Sequence, residues 1–119
     1  MQTNSDLTLY SKSVEDHVEK WTRHVIDRVH WENRKAVNVI TSGILQADSV
    51  AVFIPLQNRE IPHIKPDDVI AEGIVTKEIS VSYRISQLKK DYDNVVTVRS
   101  VDRYTFGSPS MHHLRIGAS

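Results

Sequence analysis

The sequence predicts a mainly β protein, a small antiparallel β-barrel or sandwich with one short helix near residues 86–92 and a long proline-containing loop near residues 57–68. Val and Ile total 26 residues, whereas Leu and Ala total 11, and β-branched side chains favour strands over helices. Short apolar segments also alternate with turn-forming clusters along the chain. A chain of 119 residues has the size of one domain, so we predict a single domain over residues 1–119.

The N-terminal segments alternate between apolar and polar character. Residues 7–10 predict a short strand. Residues 13–20 are mostly polar and predict a loop, although Val14, Val18 and Trp21 lie at helical spacing and leave a short helix as the alternative.

Residues 21–31 predict a longer strand by their alternation. One face carries Val25, Asp27, Val29 and Trp31, and the other carries His24, Ile26, Arg28 and His30. Neither face is purely apolar, so we expect an edge strand or a strand partly covered by another subunit.

The middle of the chain predicts two further strands. A charged turn at residues 32–35 precedes a strand at 36–40 and a connector at 41–48. Residues 49–56 form the clearest strand, because apolar residues occupy both of its faces. Pro55 should end the regular pairing, since proline has no N–H to donate.

A proline-rich loop follows at residues 57–68. Pro62 and Pro66 argue against regular structure, whereas Ile61 and Ile64 are too apolar for a loop surrounded by water. Either the loop offers a surface to a partner, or it folds back over one end of the barrel.

The C-terminal half predicts strands at residues 69–75 and 79–85, with Gly73 marking a bulge or a close backbone approach. Residues 87–92 predict the one short helix, with Ser86 as its N-cap and Ile85 as a hydrophobic staple. Further strands are predicted at residues 95–104 and 111–116, separated by a turn at 106–109.

Candidate chemical sites each have a simpler structural explanation. His112 and His113 are adjacent on a predicted strand, so their side chains point to opposite faces and cannot share one metal ion. His63 with Asp67 and Asp68 matches no calcium-loop spacing. No nucleophile motif, HExxH motif or phosphate-binding glycine loop occurs, so we predict neither an enzyme nor a cofactor or metal site.

Charge and composition limit the functional classes further. Fifteen Lys and Arg balance fifteen Asp and Glu, which argues against a free basic nucleic-acid binder. No apolar run is long enough for a spanning helix, so we predict no membrane association. The chain has no cysteine, which excludes disulfides and fits a cytosolic product.

Seven blocks of the sequence resemble small proteins from the structural modules of tailed phages and prophages. They run nearly end to end and in the same order, at residues 6–10, 29–32, 47–55, 66–75, 88–93, 96–102 and 106–113. The nearest described role in that family is the head-closure protein, also called the stopper or head-completion protein. Leu114 stands where the family usually has an aromatic residue.

That resemblance implies a small β-barrel connector protein in the virion neck of a long-tailed phage. Twelve copies would form a ring between the portal or its adaptor and the tail, assembled in the bacterial host cytoplasm. The implied partners are other copies of the chain, the portal or adaptor, the tail-terminator protein and, non-specifically, the packaged DNA that the ring helps to retain.

Two sets of residues are candidates for contacts in such a ring. As a loop that reaches the channel or a partner we nominate Gln57, Arg59, Glu60, Ile61, His63, Ile64 and Lys65. As contacts to neighbouring rings we nominate Met111, His112, Leu114 and Arg115.

Two alternatives remain open. The chain could be a tail-terminator or another head–tail joining protein of the same module. It could also be a small β-barrel that binds a ligand or single-stranded nucleic acid, with Trp21, Trp31, Tyr83 and Tyr104 as stacking platforms. Core packing is the competing role for these aromatic residues.

Overall fold

The computed structural model describes residues 3–33, 50–80 and 82–119 and confirms a mainly β protein with one short helix. Within these residues the strands are β1 (Ser5–Glu15), β2 (Val18–Asn33), β3 (Val50–Pro55), β4 (Val69–Glu72), β5 (Val95–Tyr104) and β6 (His113–Ala118). The helix α1 spans Ile85–Asp91, and a 3-10 turn spans Pro109–Met111.

The six strands form one closed, ring-like sheet in the order β1-β2-β3-β6-β5-β4, with β4 pairing back onto β1. Every pairing is antiparallel. The β1–β2 turn, the end of β3, the start of β4 and the β5–β6 connection therefore lie at the same end of the closed sheet. The N-terminus of β1 and the C-terminus of β6 lie at the other end.

The interior of the closed sheet is filled by apolar side chains from all six strands and from the long loop. The buried members are Leu7, Leu9, Ile26, Val29, Trp31, Val50, Val52, Ile54, Ile64, Ile70, Val98, Leu114, Ile116 and Ala118. Each large side chain buried in this way contributes about 1.5–3 kcal/mol to stability, before the cost of ordering the chain.

A second apolar cluster covers the outer face of β1 and β4. Tyr10, Val69 and Ala71 point outwards from these strands and pack against Val75 and Leu88. Since Leu88 belongs to α1, the helix docks on the outside of the sheet, as a helix too short to be stable alone must do.

Residues 13–20 form neither the predicted loop nor the alternative helix. They are the paired ends of β1 and β2, in register from Ser13 opposite Lys20 to Glu15 opposite Val18. Asp16 and His17 make the two-residue turn, with φ of 50° and 64°. Positive φ at both central residues is the geometry that matches the twist of a hairpin.

The predicted strand at residues 21–31 is confirmed within β2, but its predicted faces are wrong. Leu7 pairs with Ile26 and Ser5 with Val29, so β2 has one extra residue in this interval. Arg28 has a φ of 53° at this bulge. The bulge turns both Ile26 and Val29 into the core, which simple alternation forbids.

Most other predicted strands are confirmed. Residues 49–56 correspond to β3 and residues 95–104 to β5. The strand predicted at 69–75 corresponds to β4 but ends at Glu72, and the last strand begins at His113 and not at residue 111. Glu32 and Asn33 continue β2 instead of starting the predicted charged turn. The remainder of that turn, the strand at 36–40 and the connector at 41–48 lie outside the described residues.

The predicted strand at residues 79–85 is wrong, because residues 79–80 and 82–84 belong to no strand. This segment lies over the outer cluster, where Ile79 and Tyr83 pack as half-buried side chains. The helix is confirmed, but it begins at Ile85 with Arg84 at the N-cap position and no side-chain capping bond. Ser86 is therefore inside the helix and is not its cap.

Candidate functional site

The most prominent surface feature is a projecting hairpin, residues 11–22, which we call the arm. β4 pairs with β1 only as far as Tyr10, and β3 pairs with β2 only from His30 onwards. Among the described residues the two strands of the arm thus pair only with each other. At about 3.4 Å per residue the arm extends the sheet by roughly 15 Å.

The arm is held mainly by exposed polar contacts. Lys12 lies 3.3 Å from Glu19, and Lys20 lies 3.0 Å from Glu15. The Lys12 ammonium also lies over the Trp21 ring, 5.9 Å from its centroid. Exposed ion pairs contribute at most about 1 kcal/mol each, and a two-stranded hairpin is marginally stable in water. The arm is therefore a strong candidate for contact with another chain.

A groove of about 910 Å³ lies between the arm and the segment that leads into α1. We call it the arm groove, and its lining residues are His17, Val18, Glu19, Lys20, Trp21, Thr22, Ile79, Ser80, Arg84, Ile85 and Ser86. Trp21, Ile79 and Ile85 give it an apolar floor, and Val18 is 56% exposed at its rim.

The β5–β6 connection, residues 105–112, presents an apolar tip at the same end of the sheet. Phe106 is 80% exposed and Met111 is 64% exposed. Gly107 has a φ of +76°, and a Cβ at this position would lie 3.1 Å from the Met111 Sδ atom. Glycine therefore lets the chain turn tightly enough to bring Met111 beneath this turn.

A row of four rings crosses the outer face of β2, β3, β6 and β5. His30 and Phe53 have ring centroids 6.0 Å apart, as do Phe53 and His113. His113 and Tyr104 are stacked at 4.9 Å, with planes 19° apart. Of these four rings the sequence suggested only Tyr104 as part of a platform, because the row forms only when the four strands lie side by side.

The loop of residues 57–68 is anchored to the body of the protein. Arg59 donates hydrogen bonds to the Asp27 carbonyl and carboxylate and to the carbonyls of Arg28 and Pro55. Ile64 is buried in the core and Ile61 packs against it. The loop folds over the arm end of the closed sheet, one of the two arrangements that its isoleucines allowed.

Asp68 closes this loop from a fully buried position. Its Oδ1 accepts hydrogen bonds from the Lys12 backbone N–H at 3.0 Å and from the Lys65 ammonium at 2.8 Å. Its Oδ2 accepts one from the Lys65 backbone N–H at 3.1 Å. Lys65 also donates to the Lys12 carbonyl at 2.6 Å. The carboxylate therefore ties the loop to the base of the arm.

The nominated loop residues divide into two groups. Gln57, Glu60 and His63 are exposed and free to contact a partner. The remaining residues face the body of the protein and are Arg59, Ile61, Ile64 and Lys65.

The nominated C-terminal residues lie in different environments. Met111 is exposed, whereas His112 and Arg115 are half-buried. Arg115 lies 3.8 Å from Asp102 on the neighbouring strand. Leu114 is only 7% exposed and belongs to the core, so it has little surface for a contact with another chain.

The four aromatic residues considered for stacking do not form one platform. Trp31 is buried inside the closed sheet, whereas Trp21 and Tyr83 border the outer cluster. Tyr104 belongs to the ring row. Core packing accounts for Trp31, and Tyr104 lies on a different surface from Trp21 and Tyr83.

Two tyrosines have raised pKa values. Burial raises the pKa of Tyr10, whose hydroxyl donates a hydrogen bond to the Lys77 carbonyl at 2.6 Å. Desolvation and a 2.8 Å hydrogen bond to Asp91 raise the pKa of Tyr83 to about 12. Both hydroxyls fix the segment that covers the outer face of the sheet.

The described residues hold no group of three or more His, Asp or Glu side chains placed to bind a metal ion. His112 and His113 instead make separate contacts with backbone carbonyls, of Gly107 and Met111 respectively. No helix in the described part of the chain is long and apolar enough to cross a membrane.

The sequence of this chain identifies the family to which it belongs. No curated protein and no solved structure matches it significantly. A family model matches residues 2–119, nearly the whole chain, and the chain thus belongs to a family of unknown function, DUF6751.

Proposed function

We propose that this protein is a structural component of a long-tailed phage neck, a head-closure protein that forms an oligomeric ring between the portal or adaptor and the tail. In this proposal the closed sheet is a small β-barrel, and the ring helps to retain packaged DNA. The protein has no catalytic role and needs no cofactor.

The observation that carries the proposal is the combination of a small closed sheet with a projecting arm and an exposed apolar tip at one of its ends. Large apolar side chains exposed in this way are typical of surfaces that contact other proteins. The seven sequence blocks that resemble proteins of tailed-phage structural modules are the reason why we propose a phage neck as the place of this contact.

The loop of residues 57–68 is the proposed channel-facing part of the protein. Its exposed residues Gln57, Glu60 and His63 lie at the same end as the arm, and in the proposed ring they face the channel. The neutral net charge is compatible with that position, because strong phosphate binding would hinder the passage of DNA.

Deletion of the gene from a phage that encodes this chain tests the proposal. We expect heads that lose their DNA, free tails, and recovery of infectious particles when the wild-type chain is supplied in trans. Normal yields of tailed, infectious particles without the chain would contradict the proposal. Closed, DNA-filled heads together with tails of uncontrolled length would instead favour a tail-terminator.

The row of His30, Phe53, His113 and Tyr104 favours a second candidate, a module that binds single-stranded nucleic acid or a planar ligand. Aromatic faces in a row across a sheet can stack successive bases. Binding of short oligonucleotides that weakens with salt and is lost in Tyr104→Ala would favour this function, whereas no binding at low salt would exclude it.

A further inference from the structure

The edge of β2 from Glu19 to Val25, which we call the free edge, runs along the arm groove at Glu19 and Trp21. We infer that the free edge and the groove together bind an extended segment of a partner protein, which adds a strand to β2. The segment places alternate apolar side chains on the groove floor and an acidic side chain beside Arg84. This inference goes beyond the proposed neck role and does not depend on it.

The backbone N–H and C=O groups of Trp21 point away from β1. Trp21 lies directly opposite Lys12. The Lys12 N–H donates to the Asp68 carboxylate and the Lys12 carbonyl accepts from the Lys65 ammonium, so both groups point away from β2. Directly opposite residues of an antiparallel ladder either bond to each other or both point away. Because strand residues alternate, the residues that direct their backbone groups to the free edge are Glu19, Trp21, Arg23 and Val25.

These outward N–H and C=O groups have no hydrogen-bond partner in the described part of the chain. The next carbonyls along β2, those of Asp27 and Arg28, accept hydrogen bonds from Arg59, so the free edge ends there. The free edge is about 20 Å long, at about 3.4 Å per residue. A row of unpaired backbone groups is a template for another strand. An extended polypeptide presents donors and acceptors at the matching intervals, so the edge itself specifies the class of its partner.

The arm groove lies against this edge. Its lining includes every residue of β2 from Val18 to Thr22. Alternate side chains of a strand point to opposite faces, so consecutive residues line one groove where the backbone itself borders it. The other wall is formed by residues 79–80 and 84–86. A strand added at the free edge therefore lies between β2 and the start of α1.

The groove floor selects apolar side chains from the bound segment. Trp21, Ile79 and Ile85 are half-buried and form this floor. The groove volume of about 910 Å³ is in the upper range of small-molecule sites, so it has room for more than one side chain. In strand addition the main chain supplies the affinity, and pockets for alternate side chains supply the specificity.

The charges of the groove lining add a requirement for an acidic side chain. Lys20 lies 3.0 Å from Glu15. Glu19 lies 3.3 Å from Lys12. Arg84 is exposed, and its guanidinium forms no ion pair or hydrogen bond with the described residues. An acidic side chain of the partner beside Arg84 gives the contact its charge complementarity.

Synthetic peptides test the inference. The probes are two pools of peptides about seven residues long, the length of the free edge, in which Thr alternates with randomised apolar residues. Glu flanks both ends of the peptides in one pool, and Lys flanks them in the other. Fluorescence anisotropy measures binding to the purified chain, and NMR measures amide hydrogen exchange. We expect the Glu-flanked pool to bind more tightly and to slow exchange at the N–H groups of Glu19, Trp21 and Arg23.

Proline variants distinguish the two edges of the arm. Glu19→Pro removes an N–H from the free edge, whereas Val14→Pro, directly opposite, removes one from the other edge of the arm. Neither N–H joins β1 to β2, so the arm keeps its pairing. We expect Glu19→Pro to weaken binding about tenfold or more and Val14→Pro to change it by less than about twofold. Equal losses in the two variants would overturn the inference.

A charge reversal tests the acidic side chain without changing the edge. Arg84→Glu should reverse the preference between the two pools. Lys90→Glu is the control, because Lys90 is exposed on α1 and does not line the groove, and it should leave the preference unchanged. An unchanged preference in Arg84→Glu would contradict the acidic side chain of the partner.

Three further results would overturn the inference. The first is the absence of binding by both pools to the wild-type chain. The second is binding that leaves hydrogen exchange at Glu19 and Trp21 unchanged. The third is protection of these two N–H groups without peptide, increasing with protein concentration, because a second copy of the chain would then cover the free edge.

Discussion

At the scale of single residues, Asp68 shows how one buried carboxylate can organise two surfaces. It accepts hydrogen bonds from two backbone N–H groups and one ammonium group, and these donors come from the base of the arm and from the long loop. A buried acceptor with all of its donors in place stabilises the fold, whereas removing it leaves those N–H groups without partners.

We therefore predict that Asp68→Asn lowers the free energy of unfolding by about 2–3 kcal/mol, because the amide NH₂ replaces an acceptor that a backbone N–H requires. Asp67→Asn is the control. Its side chain is exposed, and its φ of 78° is one that Asn tolerates well. We expect a change within about 0.5 kcal/mol. Urea unfolding measures both, and equal effects would contradict this role of Asp68.

The raised pKa of Tyr83 makes the free energy of unfolding depend on pH in the alkaline range. Its pKa in the folded protein is about 12, whereas the unfolded chain has the ordinary value of 10.0. Above the ordinary value the unfolded state loses this proton first, so the stabilising contribution is present below pH 10 and is lost as the pH rises towards 12.

The prediction is checked by tyrosinate absorbance and by unfolding at alkaline pH. In Tyr83→Phe we expect one phenol fewer in the titration step near 12, together with a smaller loss of stability above pH 10. If the phenol that disappears instead titrates at 10, the hydrogen bond to Asp91 does not shift the pKa of Tyr83.

The backbone conformation of three single residues limits what could be predicted from the sequence. Positive φ at Asp16, His17 and Arg28 decides where β1 turns and where β2 bulges. Asp and His adopt positive φ more often than most non-glycine residues, whereas Arg does not, so the sequence marks the turn only weakly and gives no sign of the bulge at Arg28. The missed hairpin and the wrong strand faces have this common cause.

At the scale of elements, strands inside the closed sheet were predictable and the segment outside it was not. Continuous apolar residues identified β3, and β5 has the predicted bounds. Residues 79–85 alternate between apolar and polar side chains, as a half-buried strand does. Such alternation shows only that one side of the segment is buried, and it does not require pairing with another strand. Ile79 and Tyr83 are half-buried because they lie on the outer cluster without strand pairing.

The arm gives a prediction at this scale. Because His17 has a φ of 64°, His17→Gly should relieve backbone strain and raise the free energy of unfolding by about 0.5–1 kcal/mol. Ser13→Gly, within the paired part of the same arm, should lower it by about 0.5–1 kcal/mol. Thermal unfolding compares the two variants. A loss of stability in both would show that the turn at Asp16 and His17 is not strained.

At the scale of the whole molecule, the sequence predicted the fold class but not the candidate surfaces. The mainly β class followed from the excess of Val and Ile, whereas Ile61 and Ile64 left open whether the long loop covers one end of the sheet or faces a partner. The arm groove and the row of His30, Phe53 and His113 combine residues that are distant in sequence, and they exist only once strands pair.

The balance of fifteen basic and fifteen acidic residues has a clearer meaning at this scale. The whole chain is neutral, and several of its charges are paired within the chain, as Lys20 is with Glu15 and Arg115 is with Asp102. Neutral copies can pack closely without overall repulsion, which the proposed ring requires.

The number of copies per phage particle tests whether the chain forms the proposed ring in the neck. Quantitative mass spectrometry of purified phage particles, with the portal protein as internal reference, measures this number. We predict about twelve copies of the chain per particle, the number that the resemblance to head-closure proteins implies for the ring. Particles that lack the chain, or that contain only one or two copies, would contradict the proposed ring.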